Sequence, residues 1–282
     1  MTAPFIVFVG DVHNRLGLLE RALAALPKDA TLAFVGDLVD MRHPRLARAS
    51  VVDPQEVLDV HAALIEYLNA IDATCFFVLG NHDPLALATR LGTQWISLDL
   101  AMQDLPGTDF MLGGIGGSHM VPPGLPEDAV RRFIEGLIPG EPTGAYLEQG
   151  FVEYPVAVAG EPCTVLSRIP GELSAYGENP PALLLTHTPP VLPVDDLSSK
   201  ETLQFKSLGL TRAIELMKPS YVVSGHLHEP RPLFHELIHE SGFRTACIQT
   251  GELNPDVPIW AMDFAGSRLI PEPRRLAWKS SR

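Results

Sequence analysis

Five times along this chain a short apolar run breaks off into residues that bind metals or move protons. Phe5 to Val9 runs into Gly10-Asp11-Val12-His13, Thr31 to Val35 into Gly36-Asp37, and Cys75 to Leu79 into Gly80-Asn81-His82-Asp83. Further on, Ala182 to Leu185 runs into Thr186-His187, and Tyr221 to Val223 into Ser224-Gly225-His226-Leu227-His228. Apolar runs of this length, bounded by turn residues, read as strands buried on both faces. Helices fit between them: Leu16 to Leu26, closed by Pro27; Pro54 to Ile71, with Asp53 placed to cap it and Val57, Val60, Leu64 and Leu68 on one face; and Phe205 to Met217. This alternation predicts a parallel sheet covered by helices, in which ligand sites lie outside the carboxyl ends of the strands. All five segments would then deliver oxygen and nitrogen ligands to one edge.

Taken singly, each residue has an ordinary explanation, since an Asp after a strand often forms a turn and a lone His is usually a surface or core residue. A structural role does not call for Asp11, His13, Asp37, Asn81, His187, His226 and His228 at corresponding strand ends. A pair of divalent cations about 3.5–4 Å apart would use them all, with one group bridging and the others divided between the ions.

These residues also carry a resemblance. Asp11-x-His13, Gly36-Asp37-x-x-Asp40, Gly80-Asn81-His82-Asp83, His187 and Gly225-His226-x-His228 follow the order and approximate spacing of the calcineurin-like metallophosphoesterases, over nearly the whole chain. The resemblance implies an α/β fold, a four-layer αββα sandwich of two mixed β-sheets flanked by helices, with two metals at one end. It implies that Asp11, His13 and His228 hold the first metal, that Asp37 bridges, and that Asn81, His187 and His226 complete the second. It further implies hydrolysis of a phosphoester by a metal-activated hydroxide, with His82 as proton donor or transition-state clamp. Asp83 is expected to orient the His82 imidazole. Asp40 is expected to support a histidine by a hydrogen bond or to cap the following turn. Mixed His, carboxylate and amide ligation suits Mn²⁺, Fe or Zn²⁺.

Departures from subfamily patterns narrow the chemistry. Protein Ser/Thr phosphatases of the family carry Asp-Arg-Gly after the second motif and Glu after Asn-His, whereas Asp40 here precedes Met41-Arg42 and Asp83 follows His82. The chain is more similar to small-molecule phosphomonoesterases and phosphodiesterases; a protein phosphatase, a nucleotide pyrophosphatase and a non-catalytic scaffold that binds a protein partner are the alternatives. Arg15 is a candidate for meeting a substrate phosphate, and His119, in the stretch GGIGGSHM, for reaching over the metals. His43 and His61 show no partner pattern, and His61 on a helix reads as an ordinary surface residue. The i, i+4 spacing of His235 and His239 falls beside a strand-like stretch, where it carries little information.

Charge bears on the substrate. With 21 Lys plus Arg against 34 Asp plus Glu, the net charge is -13, which disfavours long nucleic acid and leaves a small phosphorylated substrate. The three cysteines, Cys75, Cys163 and Cys247, are widely spaced and read as reduced core residues. The start MTAPFIVFVGDVH has no basic segment before an apolar run that Asp11 interrupts, so a cytoplasmic protein without membrane contact is expected.

The remaining elements are coarser expectations. Strands are predicted at Trp95 to Leu98, Phe110 to Leu112, Phe151 to Ala159 and Cys163 to Leu166, and a helix at Glu127 to Ile138. The Gly113 to Met120 cluster is expected to be a loop or a close backbone approach. Leu233 to Ile238, Thr245 to Gln249 and Ile259 to Phe264 are expected to be antiparallel neighbours. A single domain should span 1–270, and 271–282, with Arg274, Arg275, Lys279 and Arg282, should be a solvated basic tail.

Overall fold

A computed structural model describes residues 5–41, 43–46, 54–99, 101–117, 181–195, 206, 208–228, 233–254, 259–263 and 273–276. The expected helix and strands between 118 and 180, with His119 and Cys163, lie outside the described residues. Two six-stranded sheets dominate. The first contains β1 (Phe5–Val9), β2 (Thr31–Phe34), β3 (Cys75–Phe77) and β4 (Trp95–Ser97), all parallel, extended on the β1 side by β11 (Ile259–Asp263), antiparallel to β1, and then by β12 (Pro273–Leu276), antiparallel to β11. The second has the order β5 (Met102–Asp104), β6 (Met111–Ile115), β7 (Leu183–Thr186), β8 (Tyr221–Ser224), β10 (Arg244–Gln249), β9 (Leu233–Ile238), and is parallel from β6 through β8 to β10.

The two-residue alternation of a strand explains why these runs are apolar throughout. Ile6 and Phe8, with Ala33, Val35, Phe76 and Val78, form one buried cluster with Leu183, Leu185, Tyr221, Val223 and Ile248 of the second sheet. Their neighbours Val7, Val9, Leu32, Phe34, Cys75 and Phe77 join the cluster containing Leu19 and Ala22 of α1 (Leu16–Ala24), Val57 of α2 (Pro54–Val60) and Leu64 and Leu68 of α3 (Ala62–Asn69). Trp95 ties α3 to the sheet, because its ring lies 4.8 Å from Phe34 and its indole N–H donates to the Leu68 carbonyl at 3.0 Å. On the second sheet a further helix (Leu208–Met217) contributes Leu210, Ile214 and Met217 to the helix-side core. Two mixed sheets with flanking helices are the architecture the resemblance implies.

Several expectations need correction. The helix over 54–71 breaks at His61, whose buried ring donates through Nδ1 to the Val57 carbonyl at 2.8 Å, the same oxygen its own backbone N–H reaches at 3.3 Å. The side chain competes with the backbone for one acceptor, and the helix restarts one residue later. β10 and β11 are not neighbours: β10 lies between β8 and β9, whereas β11 crosses to the other sheet and pairs with β1. The glycine cluster is partly strand, since Gly113 to Ile115 belong to β6, and a Cβ on Gly114 would come within 2.7 Å of the Leu98 backbone oxygen. The tail is not wholly solvated, because 273–276 pair with β11 and carry the first sheet past residue 270.

Candidate metal centre

The strand ends are bent back by residues in unusual conformations. Five described residues other than glycine have positive φ, and four of them, His13 (42°), Asn14 (59°), Asp37 (50°) and His226 (67°), stand at the strand ends where the predicted ligands collect. Asn, Asp and His tolerate the left-handed region better than most residues, and strain of this kind gathers at functional sites. Backbone bonds lock the bends together. The Asp37 carbonyl accepts from the N–H groups of Val12 (2.9 Å) and His13 (3.0 Å), the His187 carbonyl from Gly225 (3.0 Å), and the Asp11 carbonyl from Leu253 (2.9 Å).

Three groups of side chains that could hold a cation converge there; one is His13, Asp40 and His82, and the other two share Asp37. Asp11, His13, Asp37 and His228 form the first of these two, and Asp37, His187 and His226 the second, each with ligand-type atoms within 4.8 Å of one another. In the first, Nε2 of His13 and Nε2 of His228 stand 2.8 Å apart, with Asp37 Oδ2 3.4 Å from His13 Nε2 and Asp11 Oδ2 3.3 Å from His228 Nε2. Asp11 Oδ2 is buried without a hydrogen-bond partner. In the second, His187 Nε2 lies 2.9 Å from Asn81 Oδ1, 3.1 Å from His226 Nδ1 and 3.4 Å from Asp37 Oδ2. His187 donates its other ring nitrogen, Nδ1, to the Val35 carbonyl at 2.8 Å, which fixes the ring and turns Nε2 toward the cluster. An orphaned buried carboxylate oxygen and facing imidazole nitrogens are what a cation would satisfy, so this donor set fits divalent metals.

The electrostatics follow from packing. Burial disfavours charge on Asp37, but the imidazoles of His187, His82 and His13 outweigh it and hold the carboxyl well below its ordinary range. Burial likewise opposes charge on His187, yet Asp37 and then Asp11 lift it to about 9. His13 is lowered, because burial there exceeds the pull of Asp37 and Asp11.

All seven predicted ligands and His82 therefore meet at one edge, but the neighbours of His82 differ from expectation. His82 Nδ1 donates to Asp40 Oδ1 at 2.8 Å, and Asp40 also lies 4.0 Å from His13 Nδ1. Asp83 does not touch the His82 ring. Its carboxylate accepts from the backbone N–H groups of Val39 (2.9 Å) and Gly80 (2.8 Å), pinning the Asn81-His82 turn to the segment after β2. Burial and the nearby Asp37 raise Asp83 to about 7. Sequence reasoning also missed His61, which is buried and accepts the Asp40 N–H at Nε2 (3.3 Å). Arg15 is engaged elsewhere: it donates to Glu252 Oε2 at 2.6 Å and to the Leu253 carbonyl at 2.9 Å. Glu252, also missed, lies past the end of β10, beyond Thr250 and Gly251, and follows no apolar run directly. His43 packs edge-on to His61, and His239 bonds Thr245 Oγ1 within the β9–β10 hairpin.

Comparison with known proteins gives the family and the fold. Residues 6–230 match the family model of the calcineurin-like phosphoesterases. This chain belongs to that family. Membership suggests hydrolase activity, and the family generally uses two divalent metals. No curated protein sequence matches the chain. Among solved structures, one crystal structure superposes with a TM-score of 0.60 at 15% identity, over 99% of this chain and 100% of the other. The crystal structure of TT1561 from Thermus thermophilus gives 0.58 at 14%, over 97% and 99% of the two chains. A 5'-nucleotidase precursor from the same organism gives 0.49 at 14%, over 98% of this chain and 54% of that one. At such identities the likeness concerns the fold alone.

Proposed function

We propose that this metallophosphoesterase binds two divalent cations, Mn²⁺, Fe or Zn²⁺, and hydrolyses a small phosphomonoester or phosphodiester in the cytoplasm. The observation that carries this reading is the position of Asp37, whose one carboxylate belongs to both the Asp11–His13–His228 group and the His187–His226 group. Two cations held close together need an anionic bridge, and Asp37 is the only side chain common to the two groups among the described residues. When bound, such a pair supplies Lewis acidity toward a phosphoryl oxygen and a nucleophile at neutral pH.

The chain's own residues supply the rest. Asp11, His13 and His228 would hold one cation, and Asn81, His187 and His226 the other. His82 is held at Nδ1 by Asp40, which leaves Nε2 as the nitrogen able to donate a proton to the leaving oxygen or a hydrogen bond to the phosphoryl group. Asp83 keeps Asn81 and His82 in register through the Gly80 and Val39 amides, a structural contribution to catalysis. The net charge of -13 supports a small substrate over a long polyanion, since a cation pair attracts phosphate locally within a repulsive surface. The free, buried Cys75 and Cys247, whose thiols burial pushes up to about 12, suit a reducing compartment. Among the described residues no helix is long and apolar enough to cross a membrane.

The test is a titration of chelator-stripped protein with Mn²⁺, followed by parallel assays on an aryl phosphomonoester and an aryl phosphodiester. Two cations per chain and metal-dependent turnover of either ester are expected. One cation or none, with neither ester hydrolysed, would sink the proposal.

A further inference from the structure

Glu252 occupies a place in the centre that no sequence motif marks. Its backbone is bridged in parallel to Asp11, and the next residue, Leu253, donates its N–H to the Asp11 carbonyl at 2.9 Å. The carboxylate is thus hung from the strand end that bears two of the ligands. Oε2 accepts from Arg15 Nη2 at 2.6 Å and stands 3.4 Å from Nδ1 of His228. Arg15 Nη1 also donates to the Leu253 carbonyl at 2.9 Å, so one guanidinium grips the Glu252 side chain and the backbone beside it.

His228 needs such a support. Its side chain is 38% exposed, whereas that of His187 is fully buried and has the Val35 carbonyl on its Nδ1. Glu252 stands opposite His228 Nδ1 where the Val35 carbonyl stands opposite His187 Nδ1, with an ion pair at 3.4 Å in place of a hydrogen bond at 2.8 Å. An acceptor there keeps Nδ1 protonated and frees the Nε2 lone pair toward Asp11 and His13; a carboxylate also makes the imidazole a stronger donor to a cation. An exposed ion pair of Glu252 with Arg15 would contribute little. Here the Glu252 side chain is only 20% exposed and the guanidinium has a second anchor.

We infer that Glu252 is the positioning residue for His228, braced by Arg15, and so sets the affinity of the Asp11–His13–Asp37–His228 site for its cation. The inference rests on the two-cation reading. Arg15 is accordingly part of the metal centre's support and not a receptor for substrate phosphate.

The experiment is calorimetric titration of the full chain with Mn²⁺ for the unsubstituted protein, Glu252→Ala, Glu252→Gln and Arg15→Gln, with Asp11→Asn assigning which binding event belongs to this site. Glu252→Ala should weaken that event about 10–100-fold and leave the other in place. Glu252→Gln, which keeps an oxygen opposite Nδ1 but removes the charge, should lose less, and Arg15→Gln should weaken the same event. The inference fails if Glu252→Ala leaves both events unchanged, or if it weakens both alike, the signature of a general structural defect. Circular dichroism and metal-free melting of each variant check that the fold is kept. An unsubstituted protein that shows no pair of binding events overturns the two-cation reading itself, an outcome distinct from an indifferent variant.

Discussion

The two sheets bring different chemistry to the centre. The strand ends of the first supply both ligand carboxylates, Asp11 and Asp37, together with His13, Asn81 and His82, whereas the ligands from the second are all imidazoles, His187, His226 and His228. Neither edge is comfortable alone. The first holds Asp11 and Asp37, 0% and 1% exposed, and on its own would lack the His187 imidazole that does most to offset the burial of Asp37; the second would hold the fully buried His187 without that carboxylate. Packed together they neutralise one another, as the depressed Asp37 and the raised His187 record. The centre is therefore assembled by the docking of the sheets, and Asp37 is the residue on which both sides depend.

The most damaging substitution should be at that shared point. Asp37→Asn removes the charge common to both groups, so both Mn²⁺ binding events should weaken in calorimetry and hydrolysis should fall by about 10³-fold or more. Loss of one event alone would mean that Asp37 serves only one of the two cations.

His82 belongs to the first sheet and, on the proposed function, acts on substrate without holding metal. His82→Ala should lower kcat about 10²–10⁴-fold with both Mn²⁺ events intact. Asp40→Asn should have a smaller effect in the same direction, since it loosens the His82 ring without removing it. Metal loss in His82→Ala would place this residue among the ligands.

The same contrast explains what could be read from the sequence. Each strand end was legible because an apolar run stopped at a polar ligand residue, and that rule needs only local information. The partners of His82 were not legible. Asp83 is its neighbour along the chain, but its carboxylate turns to the Gly80 and Val39 amides, while Asp40, from the turn after another strand, reaches the ring. Adjacency in sequence says little about which way a side chain points at a sharp turn. β11 was found as a strand but given the wrong sheet, since an antiparallel strand reads the same whichever edge receives it. β5, with the sequence Met-Gln-Asp, and β12, with two arginines, lack the apolar run on which the reading depended.

Gly225 tests the second sheet's hold on the first. A Cβ there would lie 2.4 Å from Asp11 Oδ1, which the His226 N–H also contacts at 3.1 Å. Gly225→Ala should push the Asp11 carboxylate aside and weaken the cation event at His228 while sparing the event at His187. Equal weakening of both in calorimetry would show that the two groups respond as one rigid unit.

The smallest effect is the pH dependence of stability, in which the two sheets should be distinguishable. In metal-free protein His187 is raised to about 9, so its contribution is complete below its unfolded value of about 6.5 and is lost as pH rises toward 9. Asp83, raised to about 7, has the same sign: its contribution is complete below about 4 and is lost as pH climbs through 7. Asp37 has the opposite sign, since a depressed carboxyl contributes above about 4 and loses that contribution as pH falls further. Metal-free protein should therefore melt at progressively lower temperature from about pH 6 to 8.5. A cation at His187 Nε2 replaces a proton, so its affinity, and the stabilisation it brings, should rise over the same interval. Melting curves with and without Mn²⁺ should diverge as pH increases, and His187→Gln should flatten the metal-free slope in part, leaving the portion due to Asp83. Parallel curves with and without metal would mean that no proton leaves His187 when the cation binds, and would separate the charge balance between the sheets from the metal chemistry built on it.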